Sequence, residues 1–212
     1  MSRRLPVYLL IDTSGSMRGE PIESVNTGLQ MMLGSLRQDP FALESVHIAM
    51  ITYDREVKLV LPLTELEKVH MPHVVAPDSG PTHLGAALEM LCEQADKDII
   101  INTPEHKGDW APLLFIMTDG SPSDLALYRE MLPKVKRRSW ANIIACAAGP
   151  KAKVDVLKEI TDQVYHLATA NQSSFAQFFR WVSASVTVGG RSLGSTSTST
   201  LPPPPTELQL VL

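Results

Sequence analysis

Short apolar runs alternate along the chain with longer segments in which apolar residues recur every three or four positions. Continuous apolar runs occupy residues 5–11 and 111–118, and neither run alternates with polar residues. Runs of this kind are typical of strands that are buried on both faces of a parallel sheet. Four further strands are predicted at residues 45–52, 56–61, 140–147 and 163–167.

The segments between these strands have the apolar spacing of helices. Residues 22–37 place Ile22, Val25 and Leu29 on one face, which predicts an amphipathic helix. Further helices are predicted at residues 83–101, 123–136, 151–160 and 174–188. Strands that alternate with helices predict an α/β fold with a doubly wound, mainly parallel sheet. The second and third strands are joined by a short turn, so we expect that pair to be antiparallel.

The composition changes after residue 189. Gly, Ser and Thr dominate the next residues, and an unbroken proline run extends from Pro202 to Pro205. Such a segment cannot build a hydrophobic core. We therefore predict one domain at residues 1–189 and a Gly/Ser/Thr/Pro-rich C-terminal tail at residues 190–212. The final residues, ELQLVL, are apolar enough to dock on something, but a loose tail is the simpler expectation.

Composition and charge exclude several classes of function. The chain has 212 residues, of which 44% are hydrophobic, and its formal net charge is −4. No basic surface therefore favours nucleic acid or an anionic membrane. Cys92 and Cys146 lie inside apolar stretches, so we expect buried thiols without a disulfide. No stretch approaches the ~20 apolar residues of a membrane span, and we expect a cytoplasmic protein.

Polar side chains follow the predicted strands where a doubly wound sheet binds its ligands. Asp12, Ser14 and Ser16 come directly after the first strand, spaced by two. Thr82 precedes the helix that follows a long loop, and Asp119 comes directly after the strand at 111–118. The three segments are expected to meet at one edge of the sheet.

Enzymatic motifs do not fit the first of these turns. Gly15 and Gly19 are followed by Glu20 and Pro21, whereas a phosphate-binding P-loop requires Lys and a hydroxyl residue there. The turn also lacks the dinucleotide fingerprint and the G-x-S-x-G nucleophile elbow. An aspartyl-phosphate enzyme would have a second acid where Ser14 stands, and a hydroxyl cannot do acid–base work at neutral pH.

The same oxygens fit a hard cation. Hydroxyl and carboxylate groups suit Mg²⁺, with Mn²⁺ or Ca²⁺ as alternatives, and Mg²⁺ commonly keeps waters or an outside ligand. Two carboxylates roughly neutralise a divalent ion. If one of them binds only through water, the ion stays electron-poor and attracts a further carboxylate. We therefore expect an open coordination position for a partner's Asp or Glu.

Three elements of the sequence resemble the metal-ion-dependent adhesion site of von Willebrand factor A (VWA) domains: DTSGS at 12–16, Thr82, and TDG at 118–120. The resemblance covers about residues 5–188. It implies a Rossmann-like, six-stranded sheet in the order 3-2-1-4-5-6 with strand three antiparallel. It further implies that Ser14 and Ser16 ligate the metal directly, that Thr82 and Asp119 do so directly or through water, and that Asp12 holds metal-bound waters.

Two longer segments, VYLLIDTSGSMRGEPIESVNTGLQ and LFIMTDGSPSD, resemble the tellurium-resistance-associated TerY branch of bacterial A-domain proteins. This resemblance implies a cytoplasmic, non-enzymatic interaction module. It would act with a Ser/Thr kinase and a phosphatase in tellurite or chemical stress resistance. Some relatives carry additional metal-binding segments, but two cysteines are too few for a zinc ribbon.

Several residues have alternative interpretations. Ser14 and Ser16 could cap the following helix, Thr82 the helix at 83, and Ser123 the helix after it. Asp54 is expected to be a turn residue on the same side of the sheet as the site. His70 and His73 have a zinc-like spacing but no third ligand, so a surface loop is expected.

Two alternatives to an interaction module remain. A metal-dependent hydrolase or phosphotransfer component would need a general base, for which Asp54 and His83 are the candidates. The polar cluster could also be a helix cap that binds no cation. No sequence feature identifies the partner.

Overall fold

One mixed sheet runs through the computed structural model of the chain, which describes residues 3–150, 152–192, 201–206 and 208–211. Its strands within those residues are β1 (Leu5–Asp12), β2 (Val46–Tyr53), β3 (Val57–Glu65), β4 (Leu113–Thr118), β5 (Asn142–Ala148), β6 (Val164–Leu167) and β7 (Leu208–Leu210). Their order across the sheet is β3-β2-β1-β4-β5-β6-β7. Strands β3 and β7 pair antiparallel with their neighbours, and the other pairs are parallel. The predicted doubly wound α/β fold is confirmed, including the antiparallel third strand.

Strand β7 is an addition to the predicted sheet. Leu208 is buried, and the strand lies antiparallel to β6 with Leu208 opposite Leu167. The expectation of a loose tail is therefore wrong for residues 208–210. The tail predicted at 190–212 falls partly outside the described residues, since nothing is described for 193–200, 207 and 212.

Helices cover both faces of the sheet. They are α1 (Glu20–Leu36), α2 (Pro40–Ser45), α3 (Leu84–Asp98), α4 (Leu125–Lys136), α5 (Val154–Ile160) and α6 (Gln172–Ser192). Alternate residues of β1 enter two separate cores: Val7 and Leu9 pack with α1 and α6, whereas Tyr8 and Leu10 pack with α3, α4 and α5. This two-sided burial explains why β1 is a continuous apolar run.

The helix boundaries differ from the predictions at a few points. The short helix α2 was not predicted, although Asp39 and Pro40 are typical of a helix start. The Asp39 carboxylate accepts a hydrogen bond from Ala42 N at 2.9 Å. Helix α3 ends at Asp98 rather than residue 101, and α6 continues to Ser192 instead of ending at residue 188.

The cysteine prediction is confirmed, because Cys92 and Cys146 are both buried with free thiols. Within the described residues, no helix combines the length and apolar character that a bilayer crossing requires.

Candidate metal centre

The predicted site residues lie at the carboxyl ends of β1 and β4. These two strands are neighbours in the centre of the sheet, where the chain order reverses between β1 and β4. Ligands of doubly wound sheets bind at such a switch point. Asp12 is the last residue of β1, and Asp119 directly follows β4.

The Asp12 carboxylate organises the turn after β1. Its Oδ1 accepts a hydrogen bond from Ser14 N at 2.8 Å, and its Oδ2 accepts one from Thr118 Oγ1 at 2.6 Å. A 3₁₀ turn follows at Gly15–Met17, closed by Met17 N donating to Ser14 O at 2.9 Å. Asp12 is fully buried, so this carboxylate joins β1 to β4 and bends the chain at Ser14.

The two serines of this turn meet Asp119 from the neighbouring loop. Ser16 Oγ donates to Asp119 Oδ1 at 2.8 Å, and Ser14 Oγ lies 3.2 Å from Ser16 Oγ. Ser16 is exposed, whereas Ser14 is buried. Oxygens from segments separated by 103 residues therefore form one cluster that opens to solvent at Ser16.

Thr82 lies beside the turn after β4. A Cβ placed on Gly120 would be 3.5 Å from Thr82 Oγ1, which locates this hydroxyl next to the Asp119–Gly120 turn. Thr82 N donates to Ser123 Oγ at 3.0 Å, and Ser123 N donates to Thr82 O at 2.8 Å. The structure therefore brings all five predicted residues, Asp12, Ser14, Ser16, Thr82 and Asp119, to one edge of the sheet.

Helix α3 is capped by Asp124, a residue whose role the sequence analysis missed. Its Oδ1 accepts from Gly85 N at 3.0 Å, and its Oδ2 accepts from Ala86 N at 2.8 Å. The predictions that Thr82 caps α3 and that Ser123 caps α4 are therefore wrong. Helix α3 begins at Leu84, and Ser123 instead holds the backbone of Thr82. No local pattern could reveal this cap, because the donors lie in the first turn of α3 and the acceptor is the residue before α4.

Asp54 is both a turn residue and a support of the β1 turn. Its Oδ1 accepts from Glu56 N at 2.9 Å, and its Oδ2 accepts from Thr13 Oγ1 at 2.9 Å. The backbone carbonyl of Asp54 also accepts from His83 N at 3.1 Å. The His83 ring is turned to Arg55, whose carbonyl lies 3.0 Å from Nδ1.

The site contains buried negative charge. Burial raises the pKa of Asp12 to about 6, against the hydrogen bonds from Thr118 and Ser14, which lower it. Burial also raises the pKa of Asp119, against the hydrogen bond from Ser16. In the described ranges, neither carboxylate forms an ion pair with a basic side chain. A cation bound here would supply the missing counter-charge.

The donor set fits a hard divalent cation. Every predicted ligand atom is a hydroxyl or carboxylate oxygen, the type that Mg²⁺, Mn²⁺ and Ca²⁺ prefer. No group of three or more His, Cys, Asp and Glu side chains suited to a metal occurs among the residues that the structure describes. The two loop histidines belong to no such group among these residues: His70 Nδ1 lies 3.0 Å from Lys68 O, and His73 Nε2 lies 3.9 Å from Glu23.

Comparison with known proteins identifies the domain. Proximal thread matrix protein 1 from the mussel byssus, in a structure with a zinc-occupied MIDAS motif, is 16% identical with a TM-score of 0.63, over 86% of this chain and 48% of that one. A von Willebrand factor type A structure from Catenulispora acidiphila is 15% identical with a TM-score of 0.64, over 89% and 44%. The pilus adhesin SpaC from Lactobacillus rhamnosus GG is 11% identical with a TM-score of 0.70, over 88% and 31%.

These likenesses concern the fold, and the chain spans about half or less of the length of each solved structure. No curated protein sequence matches the chain. The sequence matches the von Willebrand factor type A domain over residues 7–180, which is most of its length. The chain therefore belongs to the von Willebrand factor type A domain family.

Proposed function

We propose that this VWA domain is an Mg²⁺-dependent protein-interaction module, in which a partner's Asp or Glu completes the coordination of the metal. The observation that carries this proposal is the cluster of Asp12, Ser14, Ser16 and Asp119. It contains two carboxylates of raised pKa and no basic partner within the described residues. Such a cluster is stabilised by a cation, which supplies the missing positive charge.

Each residue has a distinct part in this proposal. Ser14 and Ser16 bind the ion through their hydroxyl oxygens, and Thr82 and Asp119 bind it directly or through water. Asp12 holds metal-bound water, because its two oxygens already accept from Ser14 N and Thr118 Oγ1. When bound, the cation supplies the positive charge that attracts an outside carboxylate.

The exposure of the cluster supports an outside ligand. Ser16 is exposed and Asp119 is half-buried, whereas Asp12 and Ser14 are buried beneath them. A carboxylate from a second protein can therefore approach from the side of Ser16. A partly hydrated Mg²⁺ has room for such a ligand.

A binding role is favoured over catalysis by the surroundings of the candidate bases. Both oxygens of the Asp54 carboxylate accept hydrogen bonds, from Thr13 and Glu56. The His83 ring nitrogen Nδ1 lies against Arg55 O. Both oxygens of Asp54 are thus engaged in holding the loops around the cluster.

The likenesses supply context for this proposal. SpaC is described as a pilus adhesin, and the mussel byssus protein has a structure with zinc in its MIDAS motif. The resemblance to the TerY branch suggests a more specific setting, a bacterial cytoplasm with a Ser/Thr kinase and a phosphatase as partners. We include tellurite or chemical stress resistance in the proposal on that resemblance alone.

Calorimetric titration with Mg²⁺ and with Mn²⁺ tests the site. Ser14→Ala and Asp119→Ala are expected to abolish binding, whereas Ser139→Ala, an exposed serine outside the cluster, should bind like the unaltered chain. Capture of partners with and without EDTA tests the second step. Metal binding that is equal in all variants would contradict the proposed ligands. Partner capture that is equal with and without EDTA would contradict the role of the metal.

A further inference from the structure

The outer side of α6 carries a groove that the chain fills partly with its own proline run. A cavity of about 490 Å³ lies between the helix and this run. Gln177, Arg180 and Trp181 line it from α6, and Pro202, Pro203 and Pro205 line it from the other side. The groove lies on the α6 side of the sheet and uses none of the metal-site residues.

The two more buried members of the proline run lie three residues apart. Pro202 and Pro205 are half-buried, whereas Pro203 and Pro204 are exposed. Polyproline II has three residues per turn, so residues three apart share a face. Trp181 Nε1 donates to Pro202 O at 2.9 Å, and the Tyr165 ring lies 4.6 Å from the Trp181 ring between centroids. An aromatic groove that binds every third proline is a recurring mode of peptide recognition.

The residues after the prolines add a strand to the sheet. Leu208 is 4% exposed and enters the core, whereas Leu210 is 45% exposed. Val211 N donates to Val164 O at 2.9 Å, which extends the pairing of β7 with β6. Without β7, β6 would be an edge strand with unpaired backbone groups, which a partner's strand can pair with.

The attachment of this segment can be exchanged for a peptide that makes the same contacts. Its contacts include the three-residue strand with the flanking bond from Val211 N to Val164 O, the buried Leu208, the indole hydrogen bond of Trp181, and the packing of Leu201 against the core, and Thr206 makes a further interaction. A segment of the same chain competes with a free peptide through its effective concentration, so the peptide must exceed that concentration to replace it. A peptide with the same chemistry can therefore replace it.

We propose that the α6 face around Trp181 and the edge of β6 together form a docking surface for a partner's proline-rich peptide. The matching peptide has prolines three residues apart, followed by an extended stretch with an apolar residue that enters the core where Leu208 does. The chain's own residues 201–206 and 208–211 occupy this surface in cis and reduce its apparent affinity for the partner. This proposal is independent of the metal site.

The full-length chain with a fluorescent peptide of sequence LPPPPTELQLVL tests the proposal. Leu208→Lys should detach the chain's own segment and increase the apparent affinity for the peptide about tenfold or more, because burying a leucine accounts for at least that factor. Leu210→Lys is the matched control, since that side chain is already exposed, and should bind like the unaltered chain. Trp181→Phe combined with Leu208→Lys should lose the gain. Equal affinities for Leu208→Lys and Leu210→Lys would overturn the proposal.

A second measurement needs no substitution. Excess unlabelled peptide added to the ¹⁵N-labelled chain should speed hydrogen exchange of the Val211 amide, because the peptide displaces the bond to Val164 O. Unchanged exchange at saturating peptide would overturn the proposal. A dimer in size-exclusion chromatography that the peptide dissociates would identify a second copy as the occupant and would overturn the assignment to a separate partner.

Discussion

Removing the carboxylate of Asp124 should destabilise the domain and weaken the metal site together. The side chain accepts from Gly85 N at 3.0 Å and from Ala86 N at 2.8 Å, and α3 has no cap from its own N-cap residue, His83. A hydrogen bond to a charged group contributes about 1.5–3 kcal/mol, and loss of an N-cap costs about 0.5–2 kcal/mol. These contributions overlap, so Asp124→Ala should lower the free energy of unfolding by about 3 kcal/mol. Asp124→Asn keeps one acceptor oxygen and should cost about half of that.

The effect on the site follows from the position of the cap. Thr82 lies two residues before Leu84, the first residue of α3, and is bound through its backbone to Ser123, the residue before Asp124. If the contact between the N-termini of α3 and α4 is loosened, the Thr82 hydroxyl should be displaced and the Mg²⁺ affinity should fall.

Urea unfolding in EDTA and calorimetric Mg²⁺ titration measure the two effects separately. Asp78→Asn is the control: its carboxylate is exposed and forms only an ion pair with Arg18 among the described residues, so the change should stay within about 0.5 kcal/mol. If Asp124→Asn is no less stable than Asp78→Asn, the cap across the two helices does not stabilise the fold. If stability falls while Mg²⁺ affinity is unchanged, the link from the cap to Thr82 is wrong.

Further substitutions and pH test other parts of the structure. Mg²⁺ affinity should fall about tenfold per pH unit below pH 6, since Asp12 has its pKa raised to about 6 and must be ionised; an affinity that is flat to pH 5 would contradict this. In EDTA, the stability of the domain should respond to pH in the opposite direction. Ionising the buried Asp12 opposes folding, so the free energy of unfolding should fall as the pH rises from about 4 to 6. Asp12→Asn should lack this pH dependence. Gly15→Ala should weaken Mg²⁺ binding, because its Cβ would lie 2.6 Å from Ser79 Cα. Gly28→Ala should destabilise the chain by about 1–3 kcal/mol in urea, because its Cβ would lie 2.2 Å from Phe179 Cδ2. Gly34→Ala is the control for both glycine substitutions: a Cβ at this position of α1 would have no heavy atom within 4 Å, so the change should stabilise the chain.

The sequence predicted most of the fold because the strands are unambiguous. A central strand such as β1 contacts both cores, so every residue from Leu5 to Ile11 is buried, and a continuous apolar run records this directly. The short turn between β2 and β3 likewise required an antiparallel pair. The meeting of the candidate site residues was predictable because each lies near the end of a strand or precedes the start of a helix.

The features that were missed depend on contacts between distant segments. Asp124 caps a helix that begins 40 positions earlier, at Leu84, and nothing near either residue indicates this. Strand β7 is three residues long and is defined by Leu208 entering the core beside β6, after a segment whose Gly/Ser/Thr/Pro composition does not predict packing. Asp54 was predicted as a turn residue, but its bond to Thr13 depends on β1 and β2 ending side by side.

The central claim is that a divalent cation binds where the oxygens of Ser14, Ser16 and Asp119 converge. Anomalous diffraction from crystals of the chain soaked in Mn²⁺ tests it most directly. We expect one strong peak at direct-ligand distance, about 2.1 Å, from the hydroxyl oxygens of Ser14 and Ser16. The absence of a peak there, or a peak bound to other side chains, would contradict the claim.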